Sequence, residues 1–189
     1  MSSSTTTTSD EAIFYFGFGA MVNPTSRARR GVVTVRERPA ILKDFELSFS
    51  LTGAGTINPA QGQEVHGVLM EFQDEEHWKI IQGFEKGYDV LKGPVYPYDS
   101  RDEPVQANYF QIPPSKIQAT ENTTPRRPQE RYLKIIASGL VHHGVDPNYV
   151  QRNIKSVDFI PARQPHEYLH FPLSGTEEEL PQFTWEEYI

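Results

Sequence analysis

Residues Ile13 to Pro24 read IFYFGFGAMVNP. The aromatic and β-branched opening has the composition of a buried strand. Gly17 and Gly19 then break it, one residue apart. Glycine suits positions that need positive φ or a close backbone approach. Asn23-Pro24 follows, and Arg27, Arg29 and Arg30 crowd the next turn. A strand that runs into a glycine loop leaves consecutive N–H groups able to hold an anion or a developing oxyanion. On the local pattern alone, a strand followed by a tight turn and a short helix is the simpler account of these letters. The stretch is not a dinucleotide fingerprint, because the third glycine and a long following helix are missing. It is not a phosphate loop either, for want of a Gly-Lys-Ser/Thr ending.

Outward from this stretch, the whole chain has 189 residues, 37% hydrophobic and 23% charged. One compact domain with a real core is the default at that size. The formal net charge of -7 argues against a nucleic-acid backbone as partner. There is no cysteine, which excludes disulfides and a thiol nucleophile. Met1 to Asp10 is a Ser/Thr run without a basic or apolar segment, unlike a signal peptide or membrane anchor. The expectations are a cytoplasmic protein with no membrane partner. Residues 1–11 read as a disordered tail, 12–175 as a single domain, and 176–189 as an acidic, aromatic tail.

The segments between have a coarse order. Val32–Val35 and Arg38–Leu42 are predicted as short extended pieces around Pro39. Phe45, Leu47, Phe49 and Leu51 alternate with polar residues, the period of a half-buried strand. Thr52–Gln63 reads as a loop, with a brief strand at Thr56 and Ile57, and Glu64–Phe72 as another strand. Asp74 caps a short amphipathic helix carrying Trp78, Ile81 and Phe84. Tyr88–Asp99 is predicted as an interrupted edge strand, and Val105–Ile112 is extended. Pro113–Pro128 is linker-like. Pro128–His143 is the longest helix candidate, ended by Gly144, and Asp146-Pro147 starts another. Strands and helices do not alternate as βαβ. The fold class is therefore α+β: a mixed or antiparallel, curved sheet with flanking helices.

Glu85 is the carboxylate with the best setting for chemistry. It ends the amphipathic helix within FEKGYD, among Phe84, Tyr88 and glycine turns. Partial burial and the helix C-terminal field would both raise its pKa toward the range of a general base. A solvent-facing acid at a helix end is the plainer reading of the same letters. His166 and His170 would share a strand face, and the adjacent His142 and His143 cannot both point inward. No zinc-hydrolase motif accompanies them, and the expectation is no metal. His66 reads as hydrogen-bonded packing material. No Gly-x-Ser-x-Gly elbow exists.

Taken together, these motifs resemble the gamma-glutamylcyclotransferase family. Its strand and loop, close to Phe-Ala-Tyr-Gly-Ser-Asn-Leu-Asn-Pro, are matched by Phe16, Gly17, Phe18, Gly19, Ala20, Met21, Val22, Asn23 and Pro24. Its Val-x-Gly-Val-Leu strand is matched by Val65, Gly67, Val68 and Leu69. Its Glu-Gly segment followed by tyrosine is matched by Glu85, Gly87 and Tyr88. Pro128, Tyr132, Leu133, Gly139, His143, Gly144, Pro147 and Tyr149 follow its later plan. The resemblance spans residues 13 to 170 and implies a barrel-like gamma-glutamylcyclotransferase-like fold. Phe18, Ala20 and Met21 depart from the family's Tyr, Ser and Asn, which removes polar side chains from the loop.

The resemblance implies closure of a γ-glutamyl group to 5-oxoproline, with release of an amino acid or amine. Glu85 is the implied general acid and base. Phe16, Gly17, Phe18, Gly19, Ala20 and Met21 are the implied substrate-binding loop, and Tyr88 hydrogen-bonds a substrate carboxylate. Arg27 adds positive charge only if its helix turns it inward. No cofactor is implied. The implied partner is a small γ-glutamyl molecule, and the protein a monomer or weak homodimer. The altered loop keeps two other readings open: a non-catalytic binding or regulatory module on the same scaffold, and an enzyme for another amine-bearing ligand.

Overall fold

The structure is a computed structural model that describes residues 12–50, 53–118 and 127–161. The expected tails, His166, His170 and the aromatic Phe183, Trp185 and Tyr188 lie outside the described residues. Five strands, β1 (Ile13–Gly17), β2 (Arg36–Ser50), β3 (Ala54–Phe72), β4 (Asp89–Pro97) and β5 (Val105–Gln111), close into a barrel ordered β1-β3-β2-β4-β5. All ladders are antiparallel except β1 with β5, which meet in parallel at Tyr15 and Asn108. The sheet is thus mixed and strongly curved, with helices α1 (Pro24–Ala28), α2 (Glu75–Phe84), α3 (Pro114–Gln118), α4 (Glu130–His142) and α5 (Pro147–Val150) around it.

Strand alternation sorts side chains into two cores. Phe16, Leu42, Val65, Leu69, Ala107 and Tyr109 fill the barrel. Tyr15, Val68, Met70, Phe72 and Phe110 point outward and pack under helix residues Trp78, Ile81, Leu133, Ile136 and Leu140. Because β1 is covered on both faces, its sequence is continuously apolar rather than alternating.

Four sequence expectations give way. The extended pieces around Pro39 and the strand at Phe45–Leu51 form one strand, β2, bent at Asp44, whose φ is +63°. Asp44 Oδ1 accepts the N–H of Gly62, at 2.8 Å, and the β2–β3 register shifts there. The expected loop at Thr52–Gln63 is largely strand, Ala54 onward, paired with Phe45–Ser50. Its glycines mark the bend rather than the end of pairing. The linker-like stretch holds α3, and β4 is no free edge, because it pairs with β2 at Ala40 and Ile41.

The distal half of the β2–β3 hairpin folds back as an arm over the molecule. Thr56 Oγ1 accepts the Ile112 N–H at 2.9 Å, Gln111 Nε2 donates to the Ile57 carbonyl at 2.9 Å, and the Gly55 N–H reaches the Tyr132 hydroxyl at 3.2 Å. These bonds hold the arm against the end of β5 and against α4.

Candidate active site

The glycine loop leaves β1 and turns through a single 3-10 turn, Ala20–Val22. Val22 and Asn23 N–H donate to the Gly19 and Ala20 carbonyls, at 3.1 and 3.2 Å. The N–H groups of Ala20 and Met21 open that turn and have no acceptor within it. Asn23 then caps α1: its Oδ1 accepts the Ser26 N–H. Its Nδ2 donates to Ser138 Oγ at 2.8 Å and to the Ile135 carbonyl at 3.3 Å, which ties the turn to α4. Gly139 permits this contact, since a Cβ there would lie 2.7 Å from backbone atoms of Val22 and Asn23.

The loop side chains divide by burial. Phe16 and Phe18 pack into the barrel core, and Met21 into the helix-covered core, with Phe18 6% and Met21 3% exposed. Of the three positions that depart from the family pattern, only Ala20 retains partial exposure. Gly17 is buried, and Gly19 faces Tyr132: a Cβ there would sit 3.1 Å from the tyrosine hydroxyl.

Glu85 follows α2 as its C-cap, with its N–H on the Ile81 carbonyl and its own carbonyl accepting from Tyr88. Asp74 caps the other end of that helix by accepting from Glu76 and His77 N–H. The Glu85 side chain is partly buried, and burial raises its pKa, opposed by the Arg30 guanidinium. Its charge is felt by Tyr15, Tyr88 and Tyr132. Burial pushes all three phenols upward, Tyr88 to about 12, so none of them ionises near neutral pH. Burial thus shifts both charged members of the group toward their neutral forms: it raises the Glu85 carboxyl and lowers the Arg30 guanidinium.

Tyr132 joins the two halves of the site. Its hydroxyl lies at Gly19 and Gly55 and within electrostatic reach of Glu85. Phe49, on the hairpin arm, meets its ring edge-on at 6.2 Å. The structure therefore brings Glu85, Tyr88 and the Gly19 end of the loop to one region, and sends Phe16, Phe18 and Met21 into packing.

Arg27 is buried but turned away from Glu85. Its guanidinium donates to the Met21 carbonyl at 2.5 Å and to Glu37, which also receives the Thr34 hydroxyl. His143 Nε2 lies 3.2 Å from Glu37, with its pKa lowered to about 4, chiefly by burial. Arg30 takes the place near Glu85 instead. Sequence reading gave no site role to Tyr15, Gly55 or Tyr132, and named Arg30 only among the arginines that crowd the turn. Arg30 lies beyond the last residue of α1, so helical spacing did not point to it. Tyr15 looked like any other apolar strand position.

His66 is packing material, as read from its strand position. It stacks on Tyr149 at 4.3 Å and hydrogen-bonds through Nδ1 with the Tyr98 hydroxyl. A separate groove of about 430 Å³ lies between the starts of β1 and β5 and beside Lys92, lined by none of the candidate site residues. Among the described residues no group of three His, Asp or Glu is placed to hold a metal, and no helix is long and apolar enough to cross a membrane.

This barrel with its flanking helices is the gamma-glutamyl cyclotransferase-like fold. A solved gamma-glutamyl cyclotransferase superposes with a TM-score of 0.63 at 20% identity, over 89% of this chain and 96% of its own. An uncharacterized human protein matches at 0.62 and 19% identity, over the same shares. A yeast gamma-glutamyl cyclotransferase specific to glutathione matches at 0.51 and 13% identity, over 76% of this chain and 94% of its own. No family model matches the sequence, and no curated protein does.

Proposed function

We propose that this protein closes a γ-glutamyl group into 5-oxoproline and releases the attached amine or amino acid. The observation that carries the reading is the partly buried Glu85, its pKa raised by burial, sharing one region with Tyr132 and the glycine loop. The likeness in fold to a gamma-glutamyl cyclotransferase points the same way.

The substrate's α-ammonium gives a proton to Glu85, and the free amine attacks its own γ-carbonyl carbon. A carbon–nitrogen bond forms and closes the ring. The old bond to the leaving nitrogen then breaks as Glu85 returns the proton to that nitrogen, and the ring nitrogen gives up its extra proton to solvent to leave the neutral lactam. Nucleophile and electrophile belong to one molecule, so holding the folded rotamer supplies much of the rate. Gly19, lacking a side chain, lets the Tyr132 hydroxyl approach the loop at the edge of the proposed site. The N–H groups of Ala20 and Met21 face the negative oxygen, and Phe16, Gly17, Phe18 and Met21 contribute backbone and shape rather than side-chain contacts. Tyr88, neutral at working pH, donates to a substrate carboxylate. The step needs no cofactor.

The test is 5-oxoproline release from a panel of γ-glutamyl amines and dipeptides, with the parent and with Glu85→Gln. Turnover by the parent that Glu85→Gln loses supports the reading. Comparable turnover in both removes Glu85 from it, and none in either favours a binding module on the same scaffold.

A further inference from the structure

The run Arg27-Ala-Arg-Arg30 puts three cations beside the glycine loop, and the structure gives two of them different tasks. Arg27 is held by Glu37 and the Met21 carbonyl, beneath the loop. Arg30 is held on the other side. Its Nη1 donates to the Ser26 carbonyl at 2.9 Å and to Ser26 Oγ at 2.5 Å, and its guanidinium lies over the Phe84 ring, 5.2 Å from the centroid. Phe84 directly precedes Glu85 and is 48% exposed, so this stack forms the rim next to the carboxylate. A guanidinium laid on an aromatic face is attracted by the ring quadrupole, which helps fix the Arg30 charge at this rim.

We propose that Arg30 is the positioning residue of this site: braced by Ser26 and laid over Phe84, it holds its charge against Glu85. The inference rests on the reading of Glu85 as the base, and it adds how that base is kept usable. The other groups that face Glu85 are the neutral phenols of Tyr15 on β1, Tyr88 after α2 and Tyr132 on α4. Lys116 Nζ of α3 is occupied by the Gly87 carbonyl at 2.7 Å. Burial works against ionisation of Glu85, and Arg30 is the cation that works for it. Ser26 is itself fixed by Asn23, and Asn23 by α4, so the guanidinium is anchored to the same frame as the glycine loop.

The experiment is a carboxyl-carbon NMR titration of glutamate-labelled protein, with Glu85→Gln to identify the Glu85 signal. It compares the parent with Arg30→Met and Arg30→Lys, each checked by circular dichroism. In Arg30→Met, Glu85 is expected to titrate about one pH unit higher, as loss of a nearby opposite charge requires. Arg30→Lys should restore most of the difference. The acid limb of kcat/KM should move by the same amount. An unmoved Glu85 titration in Arg30→Met overturns the inference. Should that variant not fold, Arg30→Gln decides: its amide can still donate to Ser26 but carries no charge, and a Glu85 titration identical to the parent overturns the inference equally. If the titration moves but the parent turns over no γ-glutamyl compound, the placement of Arg30 stands and the cyclisation reading falls.

Discussion

At Glu85 the chain holds a carboxylate where burial and the C-terminal end of α2 both oppose its charge, while Arg30 favours it. That balance has a cost in stability with a definite sign. The folded pKa lies above the unfolded value, so the folded state binds the proton more tightly and stability falls as pH rises through that interval. Glu85→Gln lacks this loss. It is expected to melt higher than the parent at neutral pH, with the difference shrinking as pH falls toward the ordinary glutamate range. Thermal melts at several pH values check this, and a gap that widens on acidification contradicts it. At Gly19 the constraint is space, since φ is -103° and no backbone strain arises. Gly19→Val pushes against the Tyr132 hydroxyl, 3.1 Å from the new Cβ. Turnover is expected to drop about a hundredfold through misplacement of the substrate. The melting temperature should hardly change, because a hydroxyl at the end of a ring can shift.

Among the elements, α4 sets where the loop sits. Asn23 bonds to Ser138 and Ile135 of this helix, and Gly139 lets the helix touch Val22 and Asn23. Gly139→Ala places a Cβ 2.7 Å from rigid backbone, so helix and turn must separate. In a helix interior alanine is intrinsically the better residue by about 1 kcal/mol. Overpacking against backbone outweighs that gain, and a net loss of about 1–3 kcal/mol is expected in urea unfolding. A stabilised variant would show that the contact is looser than the structure indicates. The sequence pattern revealed α4 itself through its apolar spacing, and Asp74 announced α2. The reason for glycine at 139 was not legible, because it depends on a partner more than a hundred residues away in the chain.

For the molecule as a whole, the hairpin arm is the part that makes one site out of separate segments. Its return over β5 and α4 rests on Thr56, Gln111 and Gly55, each bonded to a distant segment. Thr56 is fully buried, and Thr56→Val keeps its shape while leaving the Ile112 N–H without its acceptor. The expected cost is about 1–3 kcal/mol, the penalty of a buried donor left unmade. Hydrogen exchange should rise first in the described arm, at residues 47–50 and 54–57, and 5-oxoproline release should fall with it. Protection lost evenly over the whole barrel would mean that the arm is not a separable unit.

By itself the sequence determined the local elements and the chemistry available. Continuous apolar letters made β1 a strand buried on both faces. Asp74 and the spacing of Trp78, Ile81 and Phe84 made α2, and its end placed Glu85 where an acid is disfavoured. Only the tertiary structure decided which groups meet that acid. It turned Arg27 toward Glu37 and Arg30 toward Phe84, buried Phe18 and Met21, and carried Tyr132 to Gly19. The physical reason is range. Periodicity and capping act over a few residues, whereas the direction in which an arginine or tyrosine points is settled by the packing of segments remote in the chain.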